Sequence, residues 1–247
     1  MRRLEGKVIL VAGAGVIGNA CARRYASEGA SVVLGDVRTE VAEEAADAIR
    51  QAGGQATATR LDGADESSIA AAVAFTCETY GGLDGLHANF ARAIEGSLSL
   101  CDVPLEMYDE IMQVNAKGFF LCTRYAVPHL VDRGGGAIVY TSSGAATKGG
   151  ENRVAYAMSK AAGQALMRHV AIKFGPQGIR ANSIAPGVIE RPNTRQEIKD
   201  LGMRDTRIPR LGRSGDIAGI SAMLMSDEGS YITGQVLNVD GGITMRP

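Results

Sequence analysis

The stretch Lys7-Val-Ile-Leu-Val-Ala12, followed at once by Gly13-Ala-Gly15-Val-Ile-Gly18, decides the fold of this chain. Its first half is a short apolar run of the kind that forms a buried parallel strand. Its second half is a glycine turn, and the helical pattern of residues 19–28 follows. Strand, G-x-G-x-x-G turn and helix in this order predict a dinucleotide-binding unit. The glycines let the backbone approach a pyrophosphate, and the helix start offers free N–H groups.

A second predicted strand, residues 30–36, ends in Asp36, eighteen residues beyond Gly18. A carboxylate there can accept hydrogen bonds from an adenosine ribose and repels a 2′-phosphate. Arg38 follows two residues later, and we expect it beside the adenine or in solvent rather than on a phosphate. This pattern favours NAD over NADP as the cofactor.

Strand and helix patterns alternate along the rest of the chain, as parallel βαβ construction requires. The long segment 104–131 predicts two helices that break before Asn115. We predict a single α/β domain over residues 1–247, a Rossmann-type doubly wound parallel sheet with helices on both faces. Further strands are predicted at 57–61, 85–89, 137–142 and 179–184, and further helices at 40–51, 67–80 and 155–174.

Tyr156 and Lys160 are spaced four apart in the predicted helix 155–174, so both side chains project from one face. A free phenol titrates near pH ~10 and is a poor base at neutrality. A neighbouring ammonium favours the phenolate and makes it a better proton acceptor. Ser143, thirteen residues upstream of Tyr156, could hold a substrate oxygen. The three residues suit proton transfer to or from an alcohol or ketone oxygen.

Together these residues resemble the short-chain dehydrogenase/reductase family over nearly the whole chain. Ser143, Tyr156 and Lys160 match its catalytic set with the expected spacing, and Asn115 matches the fourth member, an asparagine in a helix. The resemblance implies that Lys160 also grips the nicotinamide ribose and that Asn115 holds a water leading protons to Lys160. Pro186-Gly187 and the segment 231–242 match two further signatures of the family.

The resemblance also implies the cofactor contacts and the assembly. Asp62 is expected at the adenine amino group, and the active form is expected to be a homotetramer. The implied NAD-binding residues are Gly13, Gly15, Ile17, Gly18, Asp36, Asp62, Asn89, Tyr156, Lys160, Pro186, Gly187 and Ile189.

Three departures from the family pattern surround the expected cofactor site. Ala12 replaces the usual Thr, and the glycine loop is one residue shorter than the family's. The usual N-N-A-G is Ala88-Asn89-Phe90-Ala91, so Phe90 is expected to intrude where a small residue normally lies against the cofactor. Arg191 stands roughly where a Thr usually touches the nicotinamide amide, and Thr194 is a candidate substitute.

Residues 190–212 form a charged, irregular segment that the resemblance identifies as a substrate lid. The simpler interpretation of this segment is a solvated surface helix without a role in binding. The sharper hypothesis is that a lid arginine, Arg191 first, binds a substrate carboxylate. The cations of this region are Arg191, Arg195, Lys199, Arg204, Arg207, Arg210 and Arg213, and its acids are Glu190, Glu197, Asp200 and Asp205.

Composition narrows the class of protein. A net charge of −1 gives no reason to expect nucleic acid or an anionic membrane as partner. No apolar run approaches the ~20 residues of a membrane span, and we expect no signal peptide before the first strand. The four cysteines are scattered without metal-ligand spacing, so we expect no metal site and a cytoplasmic enzyme. His87 is expected to be packed rather than catalytic.

Two alternatives stay open at this point. An NADPH-dependent 3-oxoacyl carrier-protein reductase has the same fold and catalytic set, although Asp36 opposes NADPH. A nucleotide-binding regulatory protein without turnover is suggested by the altered residues 88–91 and the short glycine loop. Retention of all four catalytic residues opposes that second alternative.

Overall fold

The computed structural model describes residues 2–94, 96 and 98–245, and its centre is one sheet of seven parallel strands. The strand order across the sheet is β3-β2-β1-β4-β5-β6-β7. The strands are β1 (Val8–Ala12), β2 (Ser31–Asp36), β3 (Gln55–Arg60), β4 (Gly85–Ala88), β5 (Gly136–Thr141), β6 (Ile179–Pro186) and β7 (Val236–Val239).

Helices connect the strands and cover both faces of the sheet. They are α1 (Val16–Ser27), α2 (Thr39–Gln51), α3 (Glu66–Tyr80), α4 (Leu105–Met112), α5 (Gly118–Asp132), α6 (Ala145–Lys148), α7 (Val154–Phe174), α8 (Gln196–Asp205) and α9 (Ser214–Met225). The predicted Rossmann-type doubly wound sheet is confirmed.

Two hydrophobic cores lie on opposite faces of the sheet. The first packs α1, α2 and α9 against the strands, with Cys21, Ala46 and Ile217 among its buried side chains. The second packs α3, α5 and α7 against the other face, with Val73 and Met167 among its members. Strand β1 supplies side chains to both cores and every one of its residues is buried. This explains why its sequence is continuously apolar rather than alternating.

The sheet has its topological switch point at β1. This strand pairs with β2 on one side and with β4 on the other, so the chain leaves the centre in opposite directions. In open parallel sheets such a point leaves a crevice outside the carboxyl ends of the strands, where ligands bind. Gly13 follows β1 and Asn89 follows β4 at this edge.

The predicted break before Asn115 is wrong. Helix α4 continues through a π-helical turn, Gln113–Lys117, into α5, and the junction residues keep helical backbone angles. Asn115 lies inside that turn, where its side chain bonds the backbone of Arg92. π-helical turns of this kind occur frequently at functional sites.

The segment 190–212 is also more regular than its composition indicates. Helix α8 occupies much of it, and a parallel bridge between Ile189 and Gly212 closes its base. Among the residues that the structure describes, no helix combines the length and apolarity needed to cross a membrane.

Candidate active site

The glycine motif that leads from β1 into α1 contains two tightly packed glycines and one glycine with open space around it. Gly13 has a φ of 104°, and a Cβ on it would lie 2.5 Å from the backbone nitrogen of Phe90. A Cβ on Gly18 would lie 1.9 Å from the carbonyl oxygen of Gly13. Gly15 has an ordinary φ of −61°, and a Cβ there would meet nothing within 4 Å. Gly13 and Gly18 therefore shape the loop, whereas Gly15 leaves room above the start of α1.

The start of α1, beside Gly15, is where the sequence predicts the pyrophosphate of the cofactor. Among the described residues, no side chain caps the start of α1, so its first N–H groups are left for another acceptor. A helix start of this kind attracts anions through its N–H groups and dipole. Ile17, in the first turn, packs against the first core and so anchors the helix start. We take this arrangement as compatible with the pyrophosphate of NAD.

Asp36 lies at the end of β2 and contacts the same loop. One carboxylate oxygen accepts a hydrogen bond of 2.8 Å from the N–H of Ala14, and the other accepts one of 3.0 Å from the N–H of Arg38. These two bonds fix the carboxylate beside the loop. Its negative charge therefore stands where the sequence predicts the adenosine ribose of the cofactor.

Phe90 does not stand free beside the loop. Its ring packs edge-on against Phe119, with centroids 5.2 Å apart, and it joins the second core. A Cβ on Gly63 or Gly118 would lie 2.7 or 2.8 Å from this ring. The two glycines therefore make space for the Phe90 ring, which was expected from the sequence to intrude on the cofactor site.

Lys160 is almost fully buried, with 1% of its surface exposed. Its Nζ donates a 2.8 Å hydrogen bond to the carbonyl oxygen of Thr141, and it lies 4.7 Å from the ring centroid of Phe119. Burial lowers the pKa of Lys160 to about 7 because the charged form loses its hydration. A lysine so perturbed is typical of functional sites.

Tyr156 and Lys160 share one face of α7, as the spacing predicts, with Nζ 5.8 Å from the phenol ring centroid. The segment after β5 packs against this helix, because Gln164 donates a 2.8 Å hydrogen bond to the Ser142 hydroxyl. Ser143 follows, and its hydroxyl accepts a 3.2 Å hydrogen bond from the N–H of Ala145. Ser143 therefore directly follows a residue that is bonded to the helix that carries Tyr156.

Asn115 is buried beneath the same helix, and both hydrogens of its side-chain amide are engaged. Nδ2 donates to the carbonyl oxygen of Arg92 at 2.9 Å and to the hydroxyl of Ser159 at 3.0 Å. The Ser159 hydroxyl in turn donates to the carbonyl oxygen of Tyr156 at 2.8 Å. Asn115 therefore links the π-helical turn to α7 near Tyr156 and Lys160. Its predicted water-holding role stays a prediction.

The remaining predicted cofactor residues lie along the same edge of the sheet. The Asp62 carboxylate accepts from the N–H of Ala64 at 3.0 Å and from Arg60 at 3.1 Å. Pro186 ends β6, and a Cβ on Gly187 would lie 2.8 Å from Cα of Asp240. Ile189 packs against the first core. These positions agree with a cofactor lying across the carboxyl ends of the strands, and their contacts with it stay predictions.

The segment 190–212 is tied to neighbouring parts of the chain by ion pairs. Lys148, next to the Ser143 loop, pairs with Asp205 at 2.7 Å, and Arg210 binds Asp216 through two bonds of 2.6 and 2.9 Å. Arg191 makes no ion pair with any residue that the structure describes, and its backbone N–H donates to the Thr194 hydroxyl. A cavity of about 380 Å³ lies between this segment and the turn after β7.

Two features near the site were missed by the sequence reasoning. The guanidinium carbon of Arg153 lies 4.2 Å from the ring centroid of Tyr156, and Arg153 has a left-handed φ of 64°. The sequence gives no sign of this contact, because Arg153 precedes α7 and the i,i+3 rule applies within a helix. His87 is packed, as predicted, but both its ring nitrogens have hydrogen-bond partners, Tyr25 and Thr141. No local pattern signals that pair, because the partners lie in α1 and β5.

Within the described residues, no group of three His, Cys, Asp or Glu side chains is placed to hold a metal ion.

Comparison with known proteins agrees with this geometry. A family model described as enoyl-(acyl carrier protein) reductase matches residues 11–244. The chain is 36% identical to 7alpha-hydroxysteroid dehydrogenase of Escherichia coli, over 97% of this chain and 95% of that protein. It is 37% identical to 2,5-dichloro-2,5-cyclohexadiene-1,4-diol dehydrogenase of Sphingobium indicum, over 97% of each chain.

The fold comparison points the same way. A solved structure of 7alpha-hydroxysteroid dehydrogenase, in complex with NADH and 7-oxo glycochenodeoxycholic acid, superposes with a TM-score of 0.92. The two chains are 35% identical, and the match covers 97% of this chain and 95% of the other.

Proposed function

The chain belongs to the short-chain dehydrogenase/reductase family, and from this premise we propose that it interconverts a secondary alcohol and its ketone with NAD. The observation that carries the proposal is that Lys160 lies 5.8 Å from the ring centroid of Tyr156 and donates to the carbonyl oxygen of Thr141, at the carboxyl end of β5 and two residues before Ser143. The bound cofactor supplies the hydride acceptor for alcohol oxidation, and in its reduced form the hydride donor for ketone reduction.

Tyr156 is proposed to move the proton of the substrate oxygen. In alcohol oxidation its phenolate takes the hydroxyl proton as the hydride leaves the carbon, and in ketone reduction its phenol returns that proton. Ser143 donates a hydrogen bond to the same oxygen and orients it. Lys160, one helical turn from Tyr156, supplies in its protonated form the positive charge that favours the phenolate.

NAD rather than NADP is the expected cofactor because Asp36 holds a fixed carboxylate beside the ribose site. The residues proposed to hold NAD are the individual residues named in the sequence analysis, of which Gly13 is the first and Ile189 the last. The whole chain is proposed to be one catalytic domain, with residues 190–212 as its substrate lid. The fixed ends of that segment, at the bridge of Ile189 with Gly212, support such a lid.

The relatives direct the search for a substrate. One acts on a hydroxysteroid and another on a chlorinated cyclohexadiene diol, so cyclic secondary alcohols come first in the test. Arg191, exposed at the lid without an ion-pair partner among the described residues, is proposed to bind a carboxylate if the substrate carries one.

We also propose a homotetramer, supported by exposed apolar side chains on the long helices. A cytoplasmic location is proposed as well, supported by four free cysteines in a chain of this size. Sedimentation and cell fractionation test these two proposals independently of activity.

The central experiment measures NADH formation or consumption by the wild type and by Tyr156→Phe over a panel of substrates. The panel holds cyclic alcohols and their ketones, sugars, hydroxy acids, a 3-oxoacyl thioester and an enoyl thioester. Tyr156→Phe keeps the ring but deletes the proton carrier, so kcat should fall by about 10²- to 10⁴-fold. NAD affinity should change little.

Three outcomes contradict the proposal. Near-full activity of Tyr156→Phe would show that another group moves the proton. Turnover of the 3-oxoacyl thioester with NADPH and not NADH would identify the carrier-protein reductase instead. Tight NAD binding without turnover on any substrate would identify a regulatory protein.

A further inference from the structure

A chain of buried polar side chains crosses the sheet from α9 to the glycine loop. Tyr25 contacts the hydroxyl of Ser221 and lies 2.9 Å from Nδ1 of His87. Nε2 of His87 lies 2.9 Å from the hydroxyl of Thr141. The Thr141 hydroxyl is 2.8 Å from Oδ1 of Asn89, whose Nδ2 is 2.9 Å from the carbonyl oxygen of Gly13. The three residues from Ser221 to His87 have no exposed surface.

The donor and acceptor in each of these hydrogen bonds follow from the group at the glycine-loop end, the carbonyl oxygen of Gly13. The carbonyl oxygen of Gly13 can only accept, so Asn89 must present Nδ2 to it and Oδ1 to Thr141. The single hydroxyl proton of Thr141 is therefore donated to Asn89. Thr141 can then take part in its contact with His87 only as an acceptor.

The same reasoning fixes the histidine and the tyrosine. His87 must carry its proton on Nε2, and its Nδ1 must accept from the Tyr25 hydroxyl. Tyr25 in turn accepts from Ser221. All donors in the chain consequently point towards the glycine loop.

His87 is neutral because it is fully buried and its neighbours carry no charge. Burial lowers the pKa of His87 to about 3. Burial also raises the pKa of Tyr25, and it raises that of the adjacent Cys21 thiol to about 12, so neither carries a charge near neutral pH. The ammonium of Lys160 binds the carbonyl oxygen of Thr141 and not its hydroxyl. A neutral histidine has the one donor and one acceptor that this chain requires.

We propose that His87, as its neutral Nε2–H tautomer, is a positioning residue for the cofactor site, acting through Thr141 and Asn89 on the carbonyl of Gly13. The inference deepens the proposed NAD-binding function and rests on it. Gly13 cannot shift without disturbing the loop, because its own N–H donates to Gly35 and a Cβ on Gly18 would touch its oxygen. Loss of this series of hydrogen-bonded side chains therefore loosens the loop that is proposed to hold the pyrophosphate.

The decisive variants are Thr141→Val, which deletes the hydroxyl at nearly constant shape, and Thr141→Ser, which keeps it. The control is Tyr140→Phe, one residue earlier on β5, which deletes a buried hydroxyl whose partner is Thr123 and which has no link to the loop. NAD affinity is measured by calorimetry, and amide hydrogen exchange is followed at Gly13 and Ala14. We expect Thr141→Val to weaken NAD binding by roughly 3- to 10-fold, the range of one neutral hydrogen bond, and to speed exchange at both amides.

Thr141→Ser should behave as the wild type in both measurements. Tyr140→Phe should lower the melting temperature without moving the NAD affinity or the loop exchange. His87→Leu should resemble Thr141→Val, and the double variant should be no worse than the single ones. Nitrogen NMR of the wild type should find His87 protonated on Nε2 and neutral from pH ~5 to ~8.

Unchanged NAD affinity and unchanged loop exchange in Thr141→Val would overturn the inference, as would a His87 protonated on Nδ1. Absence of NAD binding by the wild type would count against the proposed function instead. In that case the amide exchange and the tautomer of His87 still decide whether the hydrogen-bonded side chains hold the loop.

Discussion

Lys160 carries its amino group into a place formed by a backbone carbonyl and two aromatic rings, those of Phe119 and Tyr156. Such surroundings solvate an ammonium less well than water does, which explains the lowering of its pKa to about 7 from an ordinary value of 10.5. Near neutral pH the group can therefore gain or lose a proton. That property suits a residue placed one turn from the proton carrier.

The same shift makes a stability prediction. Between pH 7 and 10.5 the unfolded chain binds a proton at Lys160 that the folded chain does not. The free energy of unfolding should therefore rise with pH across this window. Below pH 7 both states are protonated, and the folded state carries the full cost of burying the charge.

Lys160→Met should consequently be more stable than the wild type at pH ~6, by a few kcal/mol at most, on the order of 1.4 kcal/mol per unit of pKa change. The difference should shrink towards pH ~10. Urea unfolding on both sides of neutrality measures it, with Lys173→Met, an exposed lysine on the same helix, as the control. A stability difference that stays constant with pH would contradict the assignment.

Asp36 makes a second prediction at the residue scale, about cofactor choice. Asp36→Asn keeps the shape of the side chain but removes the charge that repels a 2′-phosphate. We expect the preference for NAD over NADP to fall by about 10- to 100-fold, equivalent to roughly 1.4–2.8 kcal/mol. Titration of both cofactors against both proteins measures the change.

The carboxamide introduced by Asp36→Asn can still accept one of the two backbone N–H bonds, so some loss of NAD affinity is also expected. Arg38→Met in the Asp36→Asn background shows whether Arg38 contributes to NADP binding. A wild type that binds NADP as tightly as NAD would refute the role of Asp36 as the discriminating residue.

At the scale of elements, the glycine loop was predictable, because its glycines sit between a continuous apolar strand and a helix. The π-helical turn was not, because it depends on Asn115 bonding the distant backbone of Arg92. The inward packing of Phe90 was equally hidden, since the space for it comes from Gly63 and Gly118 on other segments. Local patterns report an element, whereas these features arise from pairs of elements.

The loop prediction separates the two kinds of glycine. Gly15→Val should leave the fold and the melting temperature nearly unchanged, because its φ is ordinary and a Cβ meets no atom. Its side chain should fill the room above the start of α1 and abolish NAD binding. Calorimetry for NAD and thermal unfolding of the same protein give the two readings.

Gly13→Ala is the matched contrast. Its φ of 104° and the close nitrogen of Phe90 should make this substitution destabilise the fold itself, by about 1–3 kcal/mol. A folded Gly15→Val protein with undiminished NAD affinity would place the pyrophosphate elsewhere.

At the scale of the whole molecule, the helices on one face of the sheet carry exposed apolar side chains. Helices α5 and α7 enclose the second core yet leave large apolar side chains outside, with Phe120 47% and Ile172 80% exposed. Strand β7 pairs with β6 and stands at the edge of the sheet among the described strands. Exposed apolar groups and an edge strand are features that association with further copies would cover.

We therefore predict that sedimentation gives a particle about four times the 25.8 kDa mass of one chain. Phe120→Glu places a charge on the exposed face of α5 and should yield a smaller species, because burying an unpaired charge in an interface is costly. Met203→Glu, at an exposed apolar position on α8, is the control and should keep the wild-type mass. A wild type that sediments as one chain at all concentrations would exclude the tetramer. A Phe120→Glu protein of unchanged mass would show that α5 lies outside the contact.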